Sequence, residues 1–245
     1  MQQMHKSSFY LANAAFWSQG GYGGLTDDEA MIGDDGCEDD GIEGLAFLDR
    51  YLAGEGERSP TKPLKMDHAV DAGAGVGRLT KWILLKRYNA VRLVEADGAL
   101  SRRSRTYLGH KRADRCTFTI ARLESLDAAA AWGKGGIAAG ADLVWLQWTL
   151  QYLTDEDAVA ALKSLSRCLT KDTGVMIVKE NRPYGVARAD RFQMDTPAVS
   201  GRYDITRTDD HHRLLFDLAG LVVDLREEGV ETNSYALVVK PSVCG

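Results

Sequence analysis

Between Ser7 and Asp49 the chain has no lysine and no arginine. Cysteine and proline are also scarce, with four and five residues among 245. The cysteines, Cys37, Cys116, Cys168 and Cys244, are widely scattered and form no CxxC pair. That spacing argues against a disulfide frame and a cysteine zinc site, and reads as reduced thiols in a cytoplasmic or nuclear protein. No apolar run approaches the roughly 18 residues of a membrane span. The first residues carry no apolar core of the kind that directs export. Lysine and arginine number 30 against 35 acids, so the net charge is −5, opposite in sign to the basic face that a nucleic-acid backbone requires.

Glycine is plentiful, at 25 residues, and concentrated in a few loops. Composition divides the chain into residues 1–65, an extension with aromatic, glycine and acidic stretches, and residues 66–245, an α/β core. The acidic segment at 27–43 reads either as a solvated loop or as a rim that attracts a basic ligand. Its oxygens do not follow the alternation of a calcium loop, so a calcium site is rejected and no metal is expected. Strand-like segments at 69–71, 91–95, 116–120, 143–146 and 175–178 alternate with helical spacing at 77–88, 100–107, 155–169 and 209–219. The segment at 143–146 is continuously apolar and so reads as buried on both faces. Thr154, followed by three acids, is a helix start. Segments 221–225 and 235–239 read as a terminal hairpin. Together these imply a mostly parallel, doubly wound sheet with an antiparallel edge.

The segment D-A-G-A-G-V-G-R at 71–78 joins a strand to a helix. Glycines there permit a sharp turn and close approach of a nucleotide to the main chain. Glu95 ends the next strand and can accept the two ribose hydroxyls of an adenosine. The spacing differs from the dinucleotide G-x-G-x-x-G, and Asp71 beside the loop would repel phosphate while suiting an ammonium and a sulfonium. This charge argument favours S-adenosylmethionine over NAD, with Arg78 placed to pair with the methionine carboxylate. Gln147-Trp148 and Lys179-Glu180-Asn181 both fall at the carboxyl edge of the sheet, where a cofactor cleft opens.

Nearly the whole chain resembles the protein α-N-terminal methyltransferases, which act on proteins beginning X-Pro-Lys once the initiator Met is gone. The resemblance rests on F-Y and F-W at 9–10 and 16–17, G-G-Y-G at 20–23, DAGAGVGRLTK at 71–81, Y-L-G at 107–109, WLQWTLQYLTD at 145–155, VKEN at 178–181 and the run from Asp204. It implies a Rossmann-like class I methyltransferase of seven strands, with residues 1–65 capping the cleft. The implied cofactor residues are Trp17, Gly73, Gly75, Arg78, Glu95, Ala96, Asp97, Leu123, Glu124 and Gln147. The implied substrate residues are Tyr22, Gly24, Trp148, Asn181, Asp190 and Asp204. The partner it implies is a protein or peptide N-terminus with a basic third residue, bound by a monomer. An α-amine has a pKa of roughly 7.7–8.0, so something must accept its proton or favour the neutral form. Where the family has a histidine four residues after the Gln-Trp pair, this chain has Tyr152, and the family's acids lie in a segment that here carries an insertion at 187–203. Candidates for the base are Asp190, Asp195, Asp204 and Glu180, with Asp190 preferred and Tyr152 counted among the catalytic positions. Rival readings are a small-molecule amine methyltransferase and a methyltransferase-fold binding module that has lost its base.

Overall fold

The computed structural model describes residues 6–23, 26–32, 37–54, 65–126, 140–183, 189–194, 201–228 and 234–242. Its sheet is built from β1 (His68–Ala72), β2 (Ala90–Glu95), β3 (Cys116–Ile120), β4 (Leu143–Gln147), β5 (Val175–Asn181), β8 (Leu221–Glu228) and β9 (Ser234–Pro241), in the order β3-β2-β1-β4-β5-β9-β8. The first five are parallel, and β9 runs antiparallel between β5 and β8. The last strand is thus inside the sheet and β8 is the edge.

Alternate residues of each strand face opposite layers. Val70, Val144, Leu146 and Met176 join one core with Leu162 and Phe216, while Ala69, Leu143, Trp145 and Ile177 join the other with Phe47 and Leu48. Both faces are covered, which is why β4 reads as an unbroken apolar run. Helices α5 (Gly98–Leu108), α6 (His110–Ala113), α7 (Asp155–Ser166) and α8 (Asp209–Ala219) follow their strands. Thr154 caps α7, its side chain accepting from the Asp157 N–H, and Thr208 does the same for α8 at His211.

Three expectations are corrected. The helix expected over 77–88 is α4 (Arg78–Trp82) and then a single 3₁₀ turn at Leu84–Lys86; the buried Ile83 leaves helical geometry, with φ −123° and ψ −64°. The described residues of the acidic segment are helical, not loop: they form α2 (Asp27–Ile32) and the start of α3 (Cys37–Leu52), after α1 (Lys6–Ser18), with acids in the first turn of both helices. Acids there complement the helix dipole, and α3 buries Gly44, Phe47, Leu48 and Tyr51 on one face. Third, the seven expected strands are joined by a separate antiparallel pair, β6 (Arg191–Met194) and β7 (Tyr203–Thr206), where no strand was expected. Among the described residues no helix is long and apolar enough to cross a membrane.

Candidate active site

A cavity of about 650 Å³ opens at the carboxyl ends of β1, β2, β4 and β5, under side chains of α1–α3. Its floor is the glycine turn. The N–H groups of Gly73 and Ala74 donate to the Val94 carbonyl, and Gly73, Gly75 and Gly77 all adopt positive φ, at 78°, 55° and 88°. A Cβ on Gly73 would stand 2.5 Å from Thr149, and one on Gly75 would stand 2.8 Å from Met31 Sδ. Only glycine keeps this floor open. Glu95 lines the cavity and braces the turn: Oε2 accepts from Gly75 N and Oε1 from Asp97 N, each at 2.8 Å. Each oxygen retains acceptor capacity for a diol. Burial pushes the Glu95 pKa up, opposed by these amides. Ala96 and Asp97 line the wall beyond, with Asp97 also capping α5; buried Leu123 and Glu124, the latter paired with Arg122, complete that side.

Asp71 does not play the part expected of it. It is fully buried behind the turn, where it accepts from Thr80 N and Thr80 Oγ1 at 3.1 and 2.7 Å, and burial raises its pKa to about 6. The carboxylate that meets Arg78 comes instead from a residue that the sequence reading missed, Asp40 of α3. Its carboxylate is 1% exposed and holds three partners: the Arg78 guanidinium, Gln147 Nε2 at 2.8 Å and Lys179 Nζ at 2.7 Å. Burial alone would raise the pKa of Asp40, but Arg78 and Lys179 outweigh it and hold the carboxyl below the usual range. Glu43 takes a second contact from Lys179 at 2.6 Å. Arg78 therefore reaches the wall already paired with Asp40. A helical reading of 37–52 would have exposed this, since Asp40 shares the face of Gly44, Phe47 and Tyr51.

At the other end the chain turns through Trp148 in a left-handed conformation, φ 51°. Its N–H donates to the Lys179 carbonyl, and its ring lies 5.1 Å from the Arg78 guanidinium carbon. Buried Glu180 fixes this turn by accepting from Thr149 N and Leu150 N at 2.8 and 2.7 Å. Asn181 donates to Gln151 Oε1 at 3.1 Å, and both line the cavity with Trp148. Trp17 and Tyr22, from the end of α1 and the turn after it, pack edge-on to one another, and Trp17 packs on Tyr152 with ring centroids 5.6 Å apart. Tyr152 is corrected as a base. It is half-buried, desolvation pushes its hydroxyl pKa up, and the oxygen already accepts from Arg202 Nη1 at 2.7 Å.

Burial also raises the Glu180 pKa, to about 7. A carboxyl whose folded pKa lies above its unfolded value contributes stability at low pH and loses it as pH rises from about 4.5 to about 7. His212, buried with its pKa lowered to about 3, titrates in the opposite sense, so variant must be compared with parent. Glu180→Gln keeps a carbonyl acceptor for the two amides. It is expected to gain on the order of 3 kcal/mol relative to the parent across that window, at about 1.4 kcal/mol per pH unit. Urea titrations of both proteins at pH 4.5 and 8 would measure it, and parallel curves would contradict it.

Two expected substrate residues are not brought to the cavity wall. Asp190 is exposed and caps α8 through Thr208 N and Oγ1, with His211 Nδ1 at 2.9 Å, and its pKa is lowered, so it is corrected as a base. Asp204, in β7, is buried 3.3 Å from Arg202 without lining the cavity. Gly24 and Asp195 lie outside the described residues.

A parallel sheet with a glycine turn after its first strand, an acid ending the second and an inserted antiparallel last strand is the fold of S-adenosylmethionine-dependent methyltransferases. Solved structures agree. A SAM-dependent methyltransferase from Leishmania major superposes with a TM-score of 0.69 at 24% identity, covering 94% of this chain and 82% of its own. The 1,6-didemethyltoxoflavin-N1-methyltransferase of Burkholderia thailandensis, solved with S-adenosylhomocysteine, does so at 0.70 and 14% identity, covering 99% and 92%. The model of the AdoMet-dependent proline di-methyltransferases matches residues 6–237, and the chain belongs to that family. Its relatives include the alpha N-terminal protein methyltransferase 1 of Schizosaccharomyces pombe, 32% identical over 69% of this chain and 71% of that protein. The N-terminal Xaa-Pro-Lys N-methyltransferase 1 of Danio rerio is 28% identical over 73% of each chain. For the Xenopus tropicalis protein of the same name the figures are 29% identity, 55% of this chain and 54% of that protein, so the match spans about half of that relative.

The site fits the family's cofactor. The glycine floor admits it, and Glu95 faces the cavity as a ribose acceptor. Gln147 Oε1 and Trp148 Nε1 are buried with no hydrogen-bond partner among the described residues, and both residues belong to the wall.

Proposed function

We propose that this protein methylates the free α-amino group of proteins beginning X-Pro-Lys, the substrate its relatives are named for. The observation that carries the reading is the continuity of one cavity from the glycine turn to the Trp148–Asn181 slot. S-adenosylmethionine supplies an electrophilic methyl group. Gly73, Gly75, Glu95, Ala96, Asp97, Leu123 and Glu124 would hold its adenosine, and Arg78 and Gln147 its amino-acid end, with Trp17 over it. The indole of Trp148 gives the amine an electron-rich face, and Asn181, held by Gln151, sets its direction by hydrogen bonding. Much of the rate comes from fixing the amine at attack distance. Residues 1–65 act as the cap of the cleft, through Trp17, Tyr22, Met31 and Asp40. The protein works as a monomer in the cytoplasm or nucleus.

Labelled cofactor and three peptides test this. Label is expected on a peptide beginning Ser-Pro-Lys, and not on Ser-Gln-Lys or acetylated Ser-Pro-Lys. Equal labelling of all three would refute N-terminal specificity, and mass readout would also give the number of methyl groups added.

A further inference from the structure

The Gln147 amide, at the end of β4, is held by its nitrogen. Nε2 donates to both oxygens of Asp40, at 2.8 and 2.9 Å. Burial works against ionisation of Asp40, but Arg78 and Lys179 outweigh it, so this carboxylate can only accept. The amide therefore cannot sit the other way round, with its oxygen against a carboxylate. Its Oε1 is buried with no partner among the described residues, and Gln147, 6% exposed, lines the cavity. A buried acceptor without a donor is costly, and in a cavity wall such an atom is a place for a donor that a ligand brings. Asn13 Nδ2 and Trp148 Nε1, also without a partner among the described residues and also on residues of this wall, are donors themselves and cannot take one.

We infer that Asp40 makes Gln147 an acceptor for the α-ammonium of S-adenosylmethionine, and so selects a cofactor that carries this group. Asp40 is a positioning residue here: it acts through the amide of Gln147, whose orientation it fixes. The inference rests on the placing of Gln147 at the cofactor's amino-acid end proposed above, and on no property of the substrate.

The same carboxylate sets the neighbouring group. Arg78 gives Nη1 to Asp40, and a guanidinium has five N–H donors, so others remain for the methionine carboxylate. One side chain of α3 thus prepares an acceptor for the cofactor's ammonium and a donor for its carboxylate. Lys179, the third partner of Asp40, also meets Glu43 and braces the carboxylate without lining the cavity. Asparagine at position 40 would offer an N–H as well as a carbonyl. The amide of Gln147 could then turn over and present its NH₂, which an ammonium cannot use.

Two ligands test this by calorimetry on the full chain: S-adenosylhomocysteine and its desamino form, which lacks only the α-amino group. The parent should bind the desamino form about tenfold to 10²-fold more weakly, the range for a hydrogen bond to a charged group. Gln147→Leu should bring that ratio close to one. Asp40→Asn should lower it to below about a third of the parent value, whereas a merely structural role would weaken both ligands alike and leave the ratio unchanged. Should Asp40→Asn not fold, the parent decides by nitrogen-15 NMR: the side-chain NH₂ of Gln147 should be protected from water exchange with and without S-adenosylhomocysteine, and free exchange would overturn the inference. If the parent binds both ligands equally, or Gln147→Leu keeps the parent ratio, the placing of Gln147 falls and the inference falls with it. If Gln147→Leu loses the ratio and Asp40→Asn keeps it, this inference alone fails. None of these results bears on the α-amine reading, which the peptide labelling tests.

Discussion

Asp40→Ala is expected to destabilise the protein by about 3–5 kcal/mol, the usual cost of removing one member of a buried ion cluster. The acid is 1% exposed and serves Arg78 and Lys179, themselves 6% and 2% exposed. Its loss leaves two cations in a wall that water barely reaches, and Glu43 compensates only Lys179. Gln147 loses its acceptor at the same time. Asp40→Asn should fall between parent and alanine variant, because its amide oxygen still accepts but carries no charge. Chemical denaturation measures the effect. A loss below about 1 kcal/mol would mean that the two cations relax to solvent and that Asp40 does not hold this wall together. Cofactor affinity should fall with stability, since Arg78 and Gln147 take their positions from Asp40.

Trp148→Ala should lower kcat about 10²-fold to 10³-fold and change cofactor affinity less than about threefold. The glycine turn and Glu95 do not depend on the indole, and Arg78 keeps its pairing with Asp40 when its contact with the ring is lost, whereas the slot proposed for the amine is built on that ring. A misplacement of about 1 Å at a reacting centre costs a hundredfold. The residue's unusual backbone is set by the Lys179 carbonyl and the Glu180 carboxylate on neighbouring atoms, so truncating the ring leaves the turn in place. Stopped-flow turnover and calorimetry with S-adenosylhomocysteine would separate the two quantities. A large fall in cofactor binding would assign the ring to the cofactor's surroundings instead.

At one end of the cavity Asp40 is paired with Arg78 and Lys179, and at the other Arg202 pairs with Asp204 among aromatic rings. Helices α2 and α3, whose acidic composition reads as loop, contribute Met31 and Asp40 to the wall, and α1 with the turn after it contributes the rings of Trp17 and Tyr22.

The sequence alone determined whatever depends on a few consecutive residues. The strands of the main sheet, the buried run at 143–146, the glycine turn at 73–77, Glu95 at the end of β2, the cap at Thr154, and the Gln147-Trp148 and Asn181 positions all follow from local pattern and short spacing. Tertiary structure alone decided which charges meet. Asp40 finds Arg78, Gln147 and Lys179 across 38, 107 and 139 residues of chain. Asp71 turns away behind its own loop, Asp190 is spent on a helix cap, and Arg202 takes the wall where an acid was expected. A charge takes its role from the groups packed around it once water is removed, and that set is fixed only when distant segments come to share one cavity.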